Sequence, residues 1–237
     1  MPVKFPGAED HVAVIGRNGS GKTVGGMWLL SARNFDVQPA LIINSKGDSL
    51  IDEISEIKGV QTSDINGTPG DKGLYIVNPL PSQGEELNQL FRRCWEKENI
   101  TIFVDEGYSI QNDEWFTACL TQGRSKHVNL IVLSQRPAWI SKYVFSECNF
   151  VMLFNLQIKD DRKKVAEFVP VPKDYRLPPY CSYWYNVKDN LLLEFAPTPD
   201  SAAIIRTFRS KFPPEQEQEP APSEGAAPQQ TSRRRVV

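Results

Sequence analysis

The sequence predicts an α/β fold in which a mostly parallel β-sheet is sandwiched by helices. Three observations lead to it. Runs that are apolar on both faces, such as "ALIIN" (40–44), "ITIFV" (100–104) and "VNLIVLS" (128–134), recur along the chain. Stretches with helical periodicity separate them, which is the pattern of strands covered on both sides. A glycine-rich stretch, "GRNGSGKT" (16–23), directly follows the first apolar run, "HVAVI", as a strand–loop–helix unit requires.

Taken in order, Val12, Val14 and Ile15 read as a strand, and "TVGGMWLLSARN" as a helix with Asn34 near its end. "ALIIN" follows Pro39 as the second strand, and "GLYIVN" (73–78) is another. Between them "QTSDINGTPGDKG" (61–73) is turn-rich and expected to be exposed. "SQGEELNQLFRRCWEKEN" (82–99) carries Leu87, Leu90, Phe91, Cys94 and Trp95 at helical spacing, with Ser82 as the expected cap and Glu85 three residues on. "ITIFV" is a fully apolar strand, "DEWFTACLTQGRSK" a helix, and "VNLIVLS" and "NFVMLFNL" (149–156) further strands. "CSYWYNV" and "NLLLEFA" straddle "KDN" and predict a late β-hairpin.

Residues 213–237, "PPEQEQEPAPSEGAAPQQTSRRRVV", differ from the rest. They contain no aromatic residue, are rich in Pro, Gln and Glu, and are expected to be a disordered tail. The organisation is thus one domain, 1–212, followed by the tail, 213–237. The chain has 237 residues, 40% of them hydrophobic, enough for one substantial core. Outside the tail, 24 basic residues stand against 25 acidic ones. So near-neutral a body does not announce nucleic-acid binding, although a local patch or an oligomer pore could still supply it.

Cys94, Cys119, Cys148 and Cys181 are far apart and form no C-x-x-C pair, and His11 and His127 are the only histidines. Zinc is not expected; free thiols in a reducing compartment are. The start "MPVKFPGAED" has no apolar signal segment, and no run approaches the roughly 20 apolar residues that span a bilayer. A soluble, intracellular protein without a transmembrane segment is the expectation.

The glycine-rich stretch fits G-x-x-x-x-G-K-[ST] at every fixed position: Gly16, Gly21, Lys22 and Thr23. Gly16 ends a buried strand and allows a sharp turn. Gly19 and Gly21 let the backbone curl so that several N–H groups converge on an anion. Lys22 brings a point charge to the β- and γ-phosphates, and the Thr23 hydroxyl can bind Mg²⁺. The helix beginning there adds the positive end of its dipole. The candidate nucleotide-binding residues are therefore Gly16, Asn18, Gly19, Ser20, Gly21, Lys22, Thr23 and Val24, and the expected ligand is ATP with Mg²⁺.

A second signal is "ITIFVDEGY". A carboxylate at the C-terminal end of a buried strand sits beside the phosphate loop in a doubly wound sheet. Asp105 can hold Mg²⁺, directly or through water. Glu106, a second carboxylate near the γ-phosphate, can take a proton from water, which hydrolysis needs and phosphoryl transfer to a small acceptor does not. A third signal is "NLIVLSQRP" (129–137), where Gln135 ends the next buried strand. That strand should run beside the phosphate-loop strand, so that the Gln135 amide can orient the attacking water or sense the γ-phosphate.

"GRNGSGKT", "IFVDE" and "GRSKHVNLIVLSQRP", in that order and spacing, resemble the FtsK–HerA superfamily of P-loop ATPases. "LIINSKGD" resembles that family's D-P-K-G-type segment, with Asn44 in place of the acidic residue, and "VMLFNLQIKDDRKKVAEFV" its late strand and following helix. The resemblance covers about residues 10–170. In size and layout the chain is most similar to the genome-packaging ATPases of tailless, internal-membrane viruses such as tectiviruses. The resemblance implies a RecA-like, additional-strand P-loop fold, a ring of six subunits, and ATP-driven movement of double-stranded DNA into a preformed capsid. It also implies capsid-vertex or small membrane proteins as partners, and a place in the host cytoplasm or at the packaging vertex of the virion.

Carried over by position, Lys22 and Thr23 match phosphate and metal ligands, Asp105 the second metal ligand, Glu106 the catalytic base, and Gln135 the sensor. Arg124 matches an arginine that acts across a subunit boundary, with Arg136 and Arg17 as rivals. Candidates for DNA contact are residues 61–73 and the cluster Lys159, Arg162, Lys163 and Lys164. Competing functions are a filamentous-phage assembly or export ATPase of the Zot-like type, a small-molecule P-loop kinase, and a non-catalytic scaffold. The intact Lys22, Thr23, Asp105 and Glu106 argue against the last.

Overall fold

The computed structural model describes residues 3–110, 113–172 and 174–213. The predicted tail, apart from Pro213, lies outside the described residues.

Among the described residues nine strands form a single sheet. They are β1 (Val12–Ile15), β2 (Ala40–Asn44), β3 (Gln61–Thr62), β4 (Leu74–Val77), β5 (Ile100–Asp105), β6 (Val128–Ser134), β7 (Phe150–Leu153), β8 (Ser182–Asn186) and β9 (Leu191–Phe195). Their order is β3-β4-β2-β5-β6-β1-β7-β8-β9. The seven strands from β3 to β7 are parallel, whereas β8 pairs antiparallel with β7 and forms a hairpin with β9. The feature that positions the site is β6, which lies between β1 and β5 and pairs with both.

Seven α-helices of the described residues cover the sheet: α1 (Lys22–Ser31), α2 (Ser49–Ser55), α3 (Gly84–Lys97), α4 (Glu114–Gln122), α5 (Lys142–Glu147), α6 (Lys159–Ala166) and α7 (Ser201–Lys211). Alternate strand residues feed two cores, one on each face. Val12, Val14 and Ile42 pack with Met27, Leu30, Leu50, Ile54, Ile204 and Phe208 of α1, α2 and α7. Ala13, Ile15, Leu41 and Ile43 pack with Leu87, Phe91, Phe116, Leu120, Val144 and Val165 of α3 to α6. This two-sided burial is the reason the strands read as unbroken apolar runs. Cys94, Cys119 and Cys148 are buried free thiols and Cys181 is half-buried.

Two local expectations are corrected, and a third holds with added detail. Ser82 does not cap α3. Gln83 occupies the cap position, and its side-chain oxygen accepts from Leu80 N–H instead of from the helix, so α3 starts at Gly84 with Glu85 and Glu86 supplying negative charge in its first turn. Residues 61–73 are turn-rich and mostly exposed, as expected, with some local order. Gln61 and Thr62 form the outermost strand, and Ile65 is buried while Arg93 donates to the Ile65 and Gly67 carbonyls. The helix read through "GRSK" ends as α at Gln122 and tightens into a 3₁₀ turn, Gly123–Lys126.

Candidate active site

The phosphate loop occupies residues 16–21, between β1 and α1. Gly16 N–H donates to the Ser134 carbonyl at the end of β6, and Arg17 N–H to the Asn155 carbonyl beyond β7, so both neighbouring strands hold the loop. Gly16 is required by close approach. A Cβ there would come 2.5 Å from Ser20 Oγ and 2.7 Å from Phe154 Cβ. The loop ends at Gly21, in the left-handed region at φ 95°, from which α1 starts. Lys22 is buried in the first position of that helix.

Asp105 ends β5 and Glu106 follows it in a left-handed turn (φ 64°, ψ 58°). That turn reverses the side chain toward the phosphate loop, where Glu106 Oε1 lies 3.4 Å from Lys22 Nζ. Both groups are almost fully buried. The same oxygen accepts from Lys46 Nζ at 2.8 Å. Burial works against the Lys46 ammonium, but the hydrogen bond to Glu106 and the charges of Glu106 and Asp105 outweigh it and raise its pKa.

Asp105 has a different environment. Both of its carboxylate oxygens are buried with no hydrogen-bond partner. Burial, followed by the charge of Glu106, pushes its carboxyl up to about 6, with Lys22 pulling the other way. A desolvated, unpartnered carboxylate beside a phosphate loop fits a cation better than it fits a structural role. Among the described residues no group of three or more His, Cys, Asp or Glu side chains is arranged to hold a metal by itself. A cation here would depend on few protein ligands plus phosphate and water, which is the habit of Mg²⁺.

The segment after β2 supplies what the motif reading missed. Asn44, level with Asp105 in the sheet, donates to Asp52 and Asn78 and accepts from Asp48 N–H. It fastens the turn that carries Lys46 toward Glu106. Lys46 lay in a segment matched as a whole, and its contact arises only when β2 and β5 become neighbours. Gln135 stands at the end of β6, as expected, and its amide donates to Tyr108 OH at 3.3 Å. Tyr108 belongs to the short 3₁₀ turn that follows Glu106 and meets Trp139 edge-on. The turn that follows Glu106 and the end of β6 are therefore joined through a tyrosine that no motif indicated.

The structure gathers Gly16–Val24, Asp105, Glu106 and Gln135 at one end of the sheet. It does not bring Arg124 there. Arg124 precedes β6, whose seven residues span roughly 20 Å, so within one chain it sits at the far end. There it donates to Asn149 Oδ1 at 3.3 Å and lines a surface cavity with Glu9, Asp10 and Glu147. Arg136 is engaged within its own chain. Its Nε lies 3.2 Å from the buried carboxylate of Asp161, which also accepts from Ala138 N–H, and its guanidinium covers Trp139 at 3.7 Å. Arg17 is exposed on the phosphate loop.

Of the basic cluster, Lys159, Arg162 and Lys163 line an open cavity of about 730 Å³ with Arg176, Glu167 and Asp174. Lys164 pairs with Glu167, Lys163 with Asp160, and Arg162 donates to the Leu156 carbonyl. Residues 61–73 lie at the β3 edge, four strands from β6. No helix of the described residues is long and apolar enough to cross a membrane.

No family model matches the chain. The DNA packaging ATPase P9 of Enterobacteria phage PRD1 is 36% identical to it over 220 residues, spanning 88% of this chain and 96% of the relative. The genome packaging NTPase B204 of Sulfolobus turreted icosahedral virus 2, solved in complex with ATP-gammaS, matches with a TM-score of 0.59 at 17% identity over 81% of this chain and 99% of that one. ATPases 2 and 3 of EssC from Geobacillus thermodenitrificans match with a TM-score of 0.60 at 13% identity, over 86% of this chain and 43% of that one. The two structural likenesses show the fold; the phage relative matches almost end to end.

Proposed function

The chain belongs to the family of viral DNA-packaging ATPases, and from that premise we propose that it hydrolyses ATP to drive double-stranded DNA into a preformed capsid. One observation carries the hydrolytic half of this reading: Glu106 projects from the end of β5 to within 3.4 Å of the phosphate-loop lysine, Lys22. A carboxylate so placed is positioned to receive a proton from a water near the γ-phosphate.

The geometry and the motif positions support the following roles. The N–H groups of residues 18–24 and Lys22 bind the phosphates, with Asn18, Ser20 and Val24 contributing backbone. Thr23 and Asp105 would hold Mg²⁺, which when bound would neutralise charge developing on the phosphoryl oxygens. Lys22 acquires a phosphate as its partner when ATP arrives, leaving Lys46 to keep Glu106 oriented. Gln135, steadied by Tyr108, orients the attacking water. Arg124, far from its own phosphate loop, is free to serve a neighbour's in a ring of six subunits. Glu9, Asp10 and Glu147 around it weigh against a close approach of a second polyanion.

With a near-neutral body, DNA contact is local, and the groove between α6 and Arg176 is the most basic candidate. The capsid vertex and small membrane proteins are the expected docking partners, in the host cytoplasm and at the virion's packaging vertex. The test is ATP turnover with and without double-stranded DNA, alongside mass in solution. Stimulation by DNA in an oligomer of defined size is expected. DNA-independent transfer of phosphate to a small acceptor would instead point to a kinase.

A further inference from the structure

We propose that Tyr180 and the segment Pro197–Ser201 form the pocket that takes the base of the bound nucleotide. This rests on the ATPase reading and extends it to the half of the ligand that the phosphate loop does not touch.

The first observation is a cavity of about 320 Å³ lined by Gly21, Val24, Tyr180 and the run Pro197–Ser201. Its size is at the low end for small-molecule sites. Two of its residues, Gly21 and Val24, belong to the phosphate loop and the first turn of α1, so a base attached to phosphates held there has direct entry. The opposite wall is low in free polar groups. Pro197 and Pro199 present carbon, and the Asp200 carboxylate is occupied in capping α7 through Ala203 N–H.

The second observation is Tyr180 itself. It is a large aromatic residue left 60% exposed, beside a phosphate loop. It follows Pro178 and Pro179 and is held at φ 62°, a backbone state unfavourable for a residue with a Cβ. The turn is closed by Cys181 N–H donating to the Pro178 carbonyl. The ring lies against the loop: a Cβ on Gly21 would stand 3.3 Å from Tyr180 Cδ1. A strained turn that places an aromatic ring at a cavity lined also by Gly21 and Val24 suits stacking on a planar base. A second cavity that Tyr180 lines is bounded by Arg17, Ser20 and Asn155 as well as by Leu177, Pro179 and Cys181; it is the more polar of the two and so the less suitable for a base.

The experiment compares calorimetric binding of ATP and of inorganic tripolyphosphate to the full chain and to the Tyr180→Ala, Tyr180→Phe and Pro197→Trp variants. Tripolyphosphate reads the phosphate loop alone. Tyr180→Ala is expected to weaken ATP roughly 5- to 150-fold, the range found when a stacking aromatic is truncated, and to leave tripolyphosphate unchanged. Tyr180→Phe keeps the ring and should keep ATP affinity. Pro197→Trp fills the cavity and should weaken ATP but not tripolyphosphate. Unchanged ATP binding in both Tyr180→Ala and Pro197→Trp overturns the inference. Equal loss of both ligands in Tyr180→Ala also overturns it, because Tyr180 would then act by shaping the loop. A wild-type chain that binds neither ligand overturns the ATPase reading, and this inference with it.

Discussion

Replacing Asp105 with Asn is expected to stabilise the nucleotide-free protein at neutral pH while abolishing metal-dependent hydrolysis. Burial and the neighbouring Glu106 lift the Asp105 carboxyl from 3.8 to about 6. A raised acid pKa means that the folded protein holds the proton more tightly than the unfolded chain. The Asp105 contribution is therefore most favourable below about pH 4, declines as pH rises from about 4 to about 6, and stays unfavourable above that window. A shift of about two units at about 1.36 kcal/mol each sets an upper bound near 3 kcal/mol. The Asn amide leaves its own buried polar atoms unpartnered, which costs about 1–2 kcal/mol, so the net gain at pH 7 is about 1–2 kcal/mol. The assay is urea denaturation of both proteins at pH 4 and pH 7 without nucleotide. The variant should be the more stable at pH 7, and the advantage should vanish at pH 4. A variant less stable than wild type at pH 7, or a gap independent of pH, would refute the view that Asp105 is an uncompensated carboxylate awaiting a cation.

Lys46→Met should lower kcat about tenfold with little change in KM, because it removes a charge-assisted hydrogen bond that is worth about 1.5–3 kcal/mol when well shielded, and less for this half-exposed side chain; steady-state kinetics decide, and an increase in kcat would show that Lys46 restrains Glu106 instead. Gly16→Ala forces a Cβ into Ser20 Oγ and Phe154 Cβ, so a destabilisation of about 1–3 kcal/mol and a clear loss of ATP affinity are expected; a variant with wild-type denaturation and binding curves would mean that the loop yields easily. Mixing inactive Arg124→Ala with inactive Lys22→Ala should restore part of the ATPase activity if Arg124 acts in trans, where such arginines contribute about 10³–10⁵ in rate. Full activity of Arg124→Ala alone would eliminate the role.

What the sequence disclosed was governed by local chemistry. Gly16, Gly21, Lys22 and Thr23 reveal themselves because a phosphate cradle must be built from consecutive backbone groups. The β5 and β6 ends were legible because each apolar run stops at a polar residue, Asp105 or Ser134 with Gln135 after it. Fully buried strands announce a two-sided sheet, and the hairpin of β8 and β9 is marked by its turn. Contacts between distant segments were not legible. Lys46 meets Glu106 only because β2 lies beside β5, and Tyr108 meets Gln135 only because β5 lies beside β6. The pairing of Arg136 with Asp161 depends on α6 packing against the turn after β6. Helix α7 was missed because its apolar residues, Ile204, Ile205 and Phe208, are few and sit among charged neighbours close to the tail. Helix α3 shows the limit of capping patterns, since Gln83 holds the cap position without a side-chain cap and bonds Leu80 N–H outside the helix.

The central claim is that Glu106 is the base of an ATP-hydrolysing site. Its most direct test is single-turnover hydrolysis of ATP by wild type and Glu106→Gln, with double-stranded DNA present and ATP affinity measured in parallel. Gln keeps the size of the side chain and removes its ability to take a proton, so ATP should bind about as before while the chemical step slows by about 10²–10⁴-fold. Hydrolysis by Glu106→Gln at the wild-type rate would contradict the assignment.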